Sequence, residues 1–408
     1  RLGTIATLSA ALLLALSPGA VYLSRYFIHE TQFVFFTLGI VVAGLRFYDT
    51  RNPVYLVLAS ASAALLFATK ETAFVSVGVL VIAFASTHIY RLLYRAATRT
   101  SSGKSRRPVQ ESAFRRFIDE VGTINIVLSA VIALIVFVFL NVLFYSSFFN
   151  NSQGVWDALK TFEVWTKTGQ AAHVHSLDTY VRWLFRQESP LLFLGVTGAV
   201  LVVLKPKNSL ALFSALWAFG LIAAYSLIPY KTPWLVLNFI VPLALIAGYV
   251  VQFIYDIDGG QVRMVAIVLC MAIVVNTYQT IDLNFVNYDN DDSHYVYVYA
   301  HTRRGTLELM HNIEQLAAER DGAQTGITIL SPDYWPLPWY LRNFPRVGYY
   351  ARLAPSTEPL IIANENQKPD IDRNFGELYR QVTSNEPGGS FELRPGVKLI
   401  LYVRRNRL

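Results

Sequence analysis

Long apolar stretches alternate with brief polar punctuation along the first 281 residues, and beyond them the pattern turns polar. A bilayer core about 30 Å thick takes about 20 apolar residues of helix. Nine stretches qualify as candidate spans, at 5–23, 33–47, 54–68, 73–90, 124–144, 190–204, 210–228, 235–255 and 262–278. The second, third and sixth are short, so they are expected to extend into their flanks or to be sheltered by neighbours. The segment 145–189 is too long for a simple connection. It mixes Trp156, Phe162, Trp165, Trp183 and Phe185 with charges, which predicts helices lying at headgroup depth. In the tail, period-3.6 spacing predicts an amphipathic helix over 306–320, and short apolar runs predict strands at 326–330, 346–350, 360–363 and 397–403. Asp321-Gly322 and Pro387-Gly388-Gly389 punctuate these pieces as turns. The expected organisation is an α-helical polytopic membrane domain over 1–281, with an external interfacial segment at 145–189, and a small soluble external α/β domain over 282–408.

Composition sharpens this picture. Of 408 residues, 53% are apolar and 15% charged, against roughly 25% charged in a soluble globular chain, which excludes an ordinary cytosolic enzyme. The net charge of +7 invites a nucleic-acid reading. The stretch 91–116, however, holds eight basic residues and one acid, enough to account for the whole excess. Such a cluster between spans marks a cytoplasmic loop rather than a nucleic-acid surface. Alternation then puts 46–51, 205–207 and 256–263 on the cytoplasmic face, and each of them carries Arg or Lys. The turns at 25–30, 70–71 and 229–234, the segment 145–188 and the whole tail fall on the external face. A single cysteine, Cys270, excludes an intrachain disulfide. The chain opens at Arg1 without an initiator Met, so an upstream part is expected.

The chemistry-bearing residues gather in the external turns. Arg25 and His29, four residues apart, share a face if helical, and Glu30 follows. Ionisable groups this close to a bilayer point to function, the alternative being an Arg that snorkels to the interface and pairs with Glu30. Thr69-Lys70-Glu71-Thr72 sets an ammonium and a carboxylate between two spans with almost no loop. Such a lysine suits a phosphate and such a carboxylate suits a base; a neutralised turn is the plain alternative. Pro229-Tyr230-Lys231-Thr232-Pro233-Trp234 is a rigid bend that aims Lys231, or else an interfacial anchor. His173, His175 and Asp178 are candidate ligands of a divalent metal, but no further ligand is fixed by spacing, and solvated or hydrogen-bonding histidines are the favoured reading. Asp289-Asn290-Asp291-Asp292 lacks the glycine and final glutamate of a calcium loop and reads as a solvated linker. No Walker loop, dinucleotide fingerprint or Gly-x-Ser-x-Gly elbow occurs.

At SRYFIHETQFVFF from Ser24, FATKETAF from Phe67, PYKTPWLVLNFIVPLALIAG from Pro229 and SPDYWPLPWYLRNF from Ser331, the chain resembles a known family. It is similar to the GT-C superfamily of polyprenyl-phosphate-sugar glycosyltransferases, specifically the prokaryotic flippase-activity-associated membrane proteins, themselves similar to protein O-mannosyltransferases. The resemblance covers most of the chain. It implies transfer of a sugar from a polyprenyl-phosphate carrier to a protein or glycan acceptor on the external face of the cell membrane, by inversion and with a carboxylate base. In such enzymes the chief acid sits in a first external loop, which is expected upstream of Arg1. Within this chain, the resemblance and the turn chemistry together nominate His29, Glu30 and Glu71 as catalytic. They nominate Arg25, Lys70, Tyr230 and Lys231 as donor-phosphate ligands. No cofactor is called for with certainty, and a divalent metal is the one candidate. The competing reading is a noncatalytic accessory of a lipid-sugar flippase, or a structural subunit in contact with a membrane-complex partner. A transporter ranks third, because no internal repeat is found.

Overall fold

The structure, a computed structural model, describes residues 1–100, 122–168, 174–257, 259, 262–290, 294–385 and 388–405. It divides into two units, Arg1–Tyr288 and Asp289–Leu408. The first is built from helices α1 (Thr4–Ala15), α2 (Pro18–Ser24), α3 (Glu30–Thr50), α4 (Val54–Thr69) and α5 (Ala73–Thr100). There follow α6 (Thr123–Tyr145), α7 (Gln153–Thr168), α8 (Thr179–Gln187), α9 (Ser189–Leu204), α10 (Ser209–Leu227), α11 (Leu237–Ile257) and α12 (Arg263–Ile281). Among the described residues six helices are long and apolar enough to cross a membrane: α3, α5, α6, α10, α11 with the turn before it, and α12. The apolar α4 is shorter, and the pairs α1–α2 and α8–α9 reach spanning length only together, bent by 56° and 117°.

Local sequence explains both bends. Ser17-Pro18 stops α1 and restarts the chain as α2, because proline cannot donate to the preceding turn but sits well at a helix start. Ser17 caps the new helix, its Oγ accepting from Ala20 N at 3.2 Å. At the start of α9 Pro190 likewise sits in the first turn, but the cap position is Glu188 and no side chain caps the helix. The expected span 5–23 is thus two helices. The apolar run at 190–204 is preceded by a helix lying across its own axis.

At the centre stands α11, buried almost all round. Close approach to it depends on small residues: a Cβ at Gly248 would come within 2.3 Å of the Ala6 carbonyl of α1, and one at Gly198 of α9 within 2.8 Å of the Ile246 carbonyl. Without water to drive association, such tight backbone packing is what holds helices together in lipid. Contacts between helix ends separate two faces. At one, Asn208 donates to Arg1 O (2.8 Å), Tyr90 to Val203 O (2.8 Å) and Arg91 to Lys207 O (3.4 Å). That end carries Arg46, Arg51, Lys205 and Lys207. The other end carries Glu30, Lys70, Glu71, Tyr145, Glu188 and Tyr230.

Between α6 and α7 the backbone makes a left-handed turn at Ser147, Phe148 and Phe149 (φ 50°, 58° and 67°). Left-handed residues with side chains cost about 1–2 kcal/mol each. The turn is closed by Phe148 N to Leu143 O and Asn151 N to Ser146 O, both 2.8 Å, and by Phe149 N to Ser146 Oγ at 2.9 Å. It joins α6 to α7.

The second unit is a six-stranded mixed sheet with helices on both faces. It comprises α13 (Gly305–Ala318), β1 (Ile327–Ile329), α14 (Leu337–Tyr340), β2 (Val347–Tyr349), β3 (Leu360–Asn364), α15 (Lys368–Phe375), β4 (Tyr379–Val382), β5 (Phe391–Arg394) and β6 (Val397–Arg404). The order is β2-β1-β3-β6-β4, with β5 also on β6; β2, β1 and β3 are parallel and β6 antiparallel to β3. Alternation along the strands makes two cores. Ile327, Ile329, Leu360, Ile362 and Leu401 pack with Leu309 and Ile313 of α13, whereas Ile361, Ala363, Ile400 and Tyr402 pack with Ile371 of α15. The predicted helix and four strands are present, and β4, β5 and α15 are additional.

Candidate functional site

Helix α3 begins on Glu30 and its antiparallel neighbour α4 ends on Thr69, so the residues flanking those termini meet. Lys70 Nζ lies 2.6 Å from Glu30 Oε1, and the pair is nearly dry, with Glu30 1% and Lys70 13% exposed. The second carboxylate oxygen, Oε2, is buried without a hydrogen-bond partner among the described residues. His29 stands on the wet side, its Nε2 3.7 Å from Glu30 Oε1. A charge pair shielded from water attracts far more strongly than a solvated one, but leaves a costly ion if either partner is lost.

Glu71 follows directly, and no ion pair engages it among the described residues. With Lys70 it lines an open cleft of about 150 Å³ walled by Phe67, Tyr145 and, from α7, Ala158 and Thr161. Tyr145 is fixed there by donating to Phe67 O at 2.6 Å. From α10, Tyr225 brings its hydroxyl to Thr72 and Ser76, within the field of Glu30 and Glu71. Both carboxylates also act on Tyr230, whose hydroxyl is pushed above the usual tyrosine pKa by burial first and then by Glu71 and Glu30. The turns at 70–71 and 229–234 and the start of α3 therefore converge. Here a charge-neutral pair stands beside a carboxylate that no ion pair engages among the described residues.

The other nominated cations are engaged elsewhere. Arg25 donates to Asn284 O (3.3 Å), and its guanidinium lies 5.2 Å from the Phe285 ring centre. The paired prolines do hold a non-helical bend, but Lys231 is turned inward, 1% exposed. Its Nζ donates to Ile228 O (2.7 Å) and His175 O (3.3 Å). Burial lowers its pKa from the ordinary lysine value. Lys231 thus acts as a strut: His175 N also donates to Pro229 O (3.1 Å), and Val174 bridges Tyr230. Lys231→Met keeps the volume and removes both donations. It is expected to cost about 1–3 kcal/mol and to speed amide exchange at His175, read by hydrogen-exchange mass spectrometry.

Of the metal candidates, His173 lies outside the described residues. His175 stacks edge-on against Trp183. Asp178 accepts from Ser176 Oγ at 2.6 Å and pairs with Arg182 at 3.0 Å. The Ser176 donation holds its carboxylate below the usual range. Among the described residues no three His, Cys, Asp or Glu gather as metal ligands. Residues 291 and 292 of the acidic run also lie outside the description.

No family model, curated protein or solved structure matches this chain.

One carboxylate escaped the sequence reading except as a segment boundary. Glu188 is fully buried, and its Oε1 accepts from Ser17 Oγ (2.9 Å) and Gly19 N (2.7 Å). It thus ties the bend of α8–α9 to the start of α2. Around the same break Thr280 donates to Leu16 O (2.7 Å) and Asn284 to Pro18 O (3.4 Å). An acid placed flush against Ser-Pro and a long apolar run was the available signal.

Proposed function

We propose that this chain is the membrane part of a sugar transferase that takes its donor from a polyprenyl-phosphate carrier at the external face of the cell membrane. The observation that carries the reading is Glu71, a carboxylate without an ion-pair partner among the described residues, in a cleft beside the Lys70–Glu30 pair. Glu30 keeps Lys70 charged and fixed, and Lys70 meets the carrier phosphate at headgroup depth. Glu71 removes the proton of the acceptor hydroxyl as that oxygen bonds to the sugar's anomeric carbon. The bond from that carbon to the phosphate oxygen breaks, and the carrier phosphate leaves with the electron pair, inverting the centre. The four sequence strings that resemble GT-C enzymes support the same reading, and two of them supply Glu30, Lys70 and Glu71.

The bent pairs and α4 complete a nine-crossing topology in this proposal, with the end rich in Arg and Lys cytoplasmic. In a Cys270→Ser background, an impermeant thiol reagent applied to intact cells is expected to label Asn366→Cys and to spare Lys207→Cys. The reverse pattern would put the cleft on the wrong face. The direct test of function is binding of a polyprenyl-phosphate analogue to wild type, Lys70→Ala and Lys205→Ala. Affinity lost only in Lys70→Ala supports the donor site. Equal affinity in all three removes it and favours a noncatalytic accessory subunit.

A further inference from the structure

The second unit carries a feature that neither its core nor the transfer chemistry uses. The connection from β1 to β2 presses Leu337 and Leu341 into the core beneath α13, yet Trp335 and Trp339 on its outer side are 63% and 64% exposed. An indole left in water on a soluble unit forgoes a large burial energy, and a cluster of them marks a binding surface. Tyr350, half exposed, follows β2 directly. Asp333 Oδ1 and Arg394 Nη2 pair at 3.1 Å beside Trp335, and Arg394 also donates to the Trp335 carbonyl at 3.1 Å. The Arg342 guanidinium covers one face of Trp339, 4.4 Å from the ring centre.

The placement of these residues is informative. The chain runs from β1 to β2 on one side and then to β3 on the other side of β1, all three strands being parallel. At such a reversal, beyond the carboxyl ends of the strands, open α/β sheets bind ligands. Asp333 and Trp335 lie just beyond the end of β1, Tyr350 just beyond β2, and Arg394 ends β5. We infer that this edge is a saccharide-binding site, formed by Trp335 and Trp339 with Asp333 and Arg394 on its rim.

The chemistry selects the ligand class. A pyranose has one apolar C–H face that stacks on an indole and an equatorial rim of hydroxyls that donate to a carboxylate and accept from a guanidinium. Asp333 and Arg394, already paired and half in water, offer both functions side by side. A phosphate would make no use of the exposed indole faces, whereas the C–H face of a sugar ring stacks on them. A lipid surface would have no use for the carboxylate. For the ligand's role as the acceptor glycan, the inference rests on the sugar-transfer reading; for the site itself, it does not.

The test uses the full chain in phosphatidylcholine nanodiscs against an array of neutral hexose and N-acetylhexosamine oligosaccharides, with titration of those retained. Wild type is expected to bind at least one of them. Trp335→Ala and Trp339→Ala should each weaken binding by roughly three- to tenfold, and Trp335→Phe should retain most of it. These are surface positions, and unchanged thermal midpoints establish that the variants fold. Binding to none of the oligosaccharides, or equal binding by the Trp335→Ala/Trp339→Ala double variant, overturns the inference. So does a double variant whose only change is weaker co-sedimentation with phosphatidylglycerol vesicles, which would make the patch a membrane contact. Sugar transfer by wild type is measured separately: a chain that binds oligosaccharides through these tryptophans and transfers nothing would refute the enzyme and leave the binding site standing.

Discussion

Glu71→Gln is expected to slow sugar transfer by about 10²- to 10⁴-fold, the usual worth of a positioned proton acceptor. The substitution keeps size and shape and removes only the ability to take a proton. Because no partner ion is abandoned by it, the protein's thermal midpoint should hold or rise slightly, Glu71 and Glu30 being like charges around one cleft. Activity and stability thus separate at this residue. The measurement is single-turnover transfer from a radiolabelled polyprenyl-phosphate hexose in proteoliposomes, alongside thermal unfolding of the same preparations. A rate within twofold of wild type would show that some other group takes the proton.

The neighbouring carboxylate should behave oppositely. Glu30→Gln strands the Lys70 ammonium in a dry setting, and breaking one side of a buried ion pair costs about 3–5 kcal/mol. Lys70→Met should cost a similar amount by leaving Glu30 unpaired. The double variant Glu30→Gln/Lys70→Met should recover most of the loss, since two neutral groups need no compensation. As a control, Asp178→Asn removes a pair whose members are 63% and 55% exposed, and such solvated pairs are worth about 0–1 kcal/mol. Thermal unfolding in detergent should therefore rank Asp178→Asn near wild type and both single core variants far below it. Additive losses in the double variant would mean that the pair does not act as a unit.

How much of this was legible in sequence depended on the kind of signal. Apolar run length located the helices of the first unit, because lipid imposes it directly. It was blind to the break at Ser17, where the run stays apolar while its direction changes, whereas the break at Glu188 falls in a polar stretch and was read as a segment boundary. In the second unit β1, β2, β3 and β6 were readable as continuous apolar strings. The sequences Tyr379-Arg-Gln-Val and Phe391-Glu-Leu-Arg were not, since a strand buried on one face alternates and offers only two apolar residues in four. At the site, the cluster of ionisable turns was visible and the pairing was not. Nothing in the spacing of Lys70 and Lys231 distinguishes the lysine that meets a carboxylate 40 residues away from the one that turns in toward backbone carbonyls. That choice is made by tertiary packing of α3 on α4 and by the bridge between Val174 and Tyr230.

The Glu188 tie also bears on how the molecule is made. Ser17 and its acceptor are separated by 171 positions, and a ribosome adding about 5–20 residues per second takes about 10–30 s to cover them. Until then the gap between α1 and α2 has exposed backbone groups and no carboxylate to receive them, a state that hydrocarbon penalises heavily. The α1–α2 pair cannot complete this tie until Glu188 has been synthesised. It must wait for a late-arriving segment, so biogenesis of the first unit is sequential in synthesis but concerted in completion.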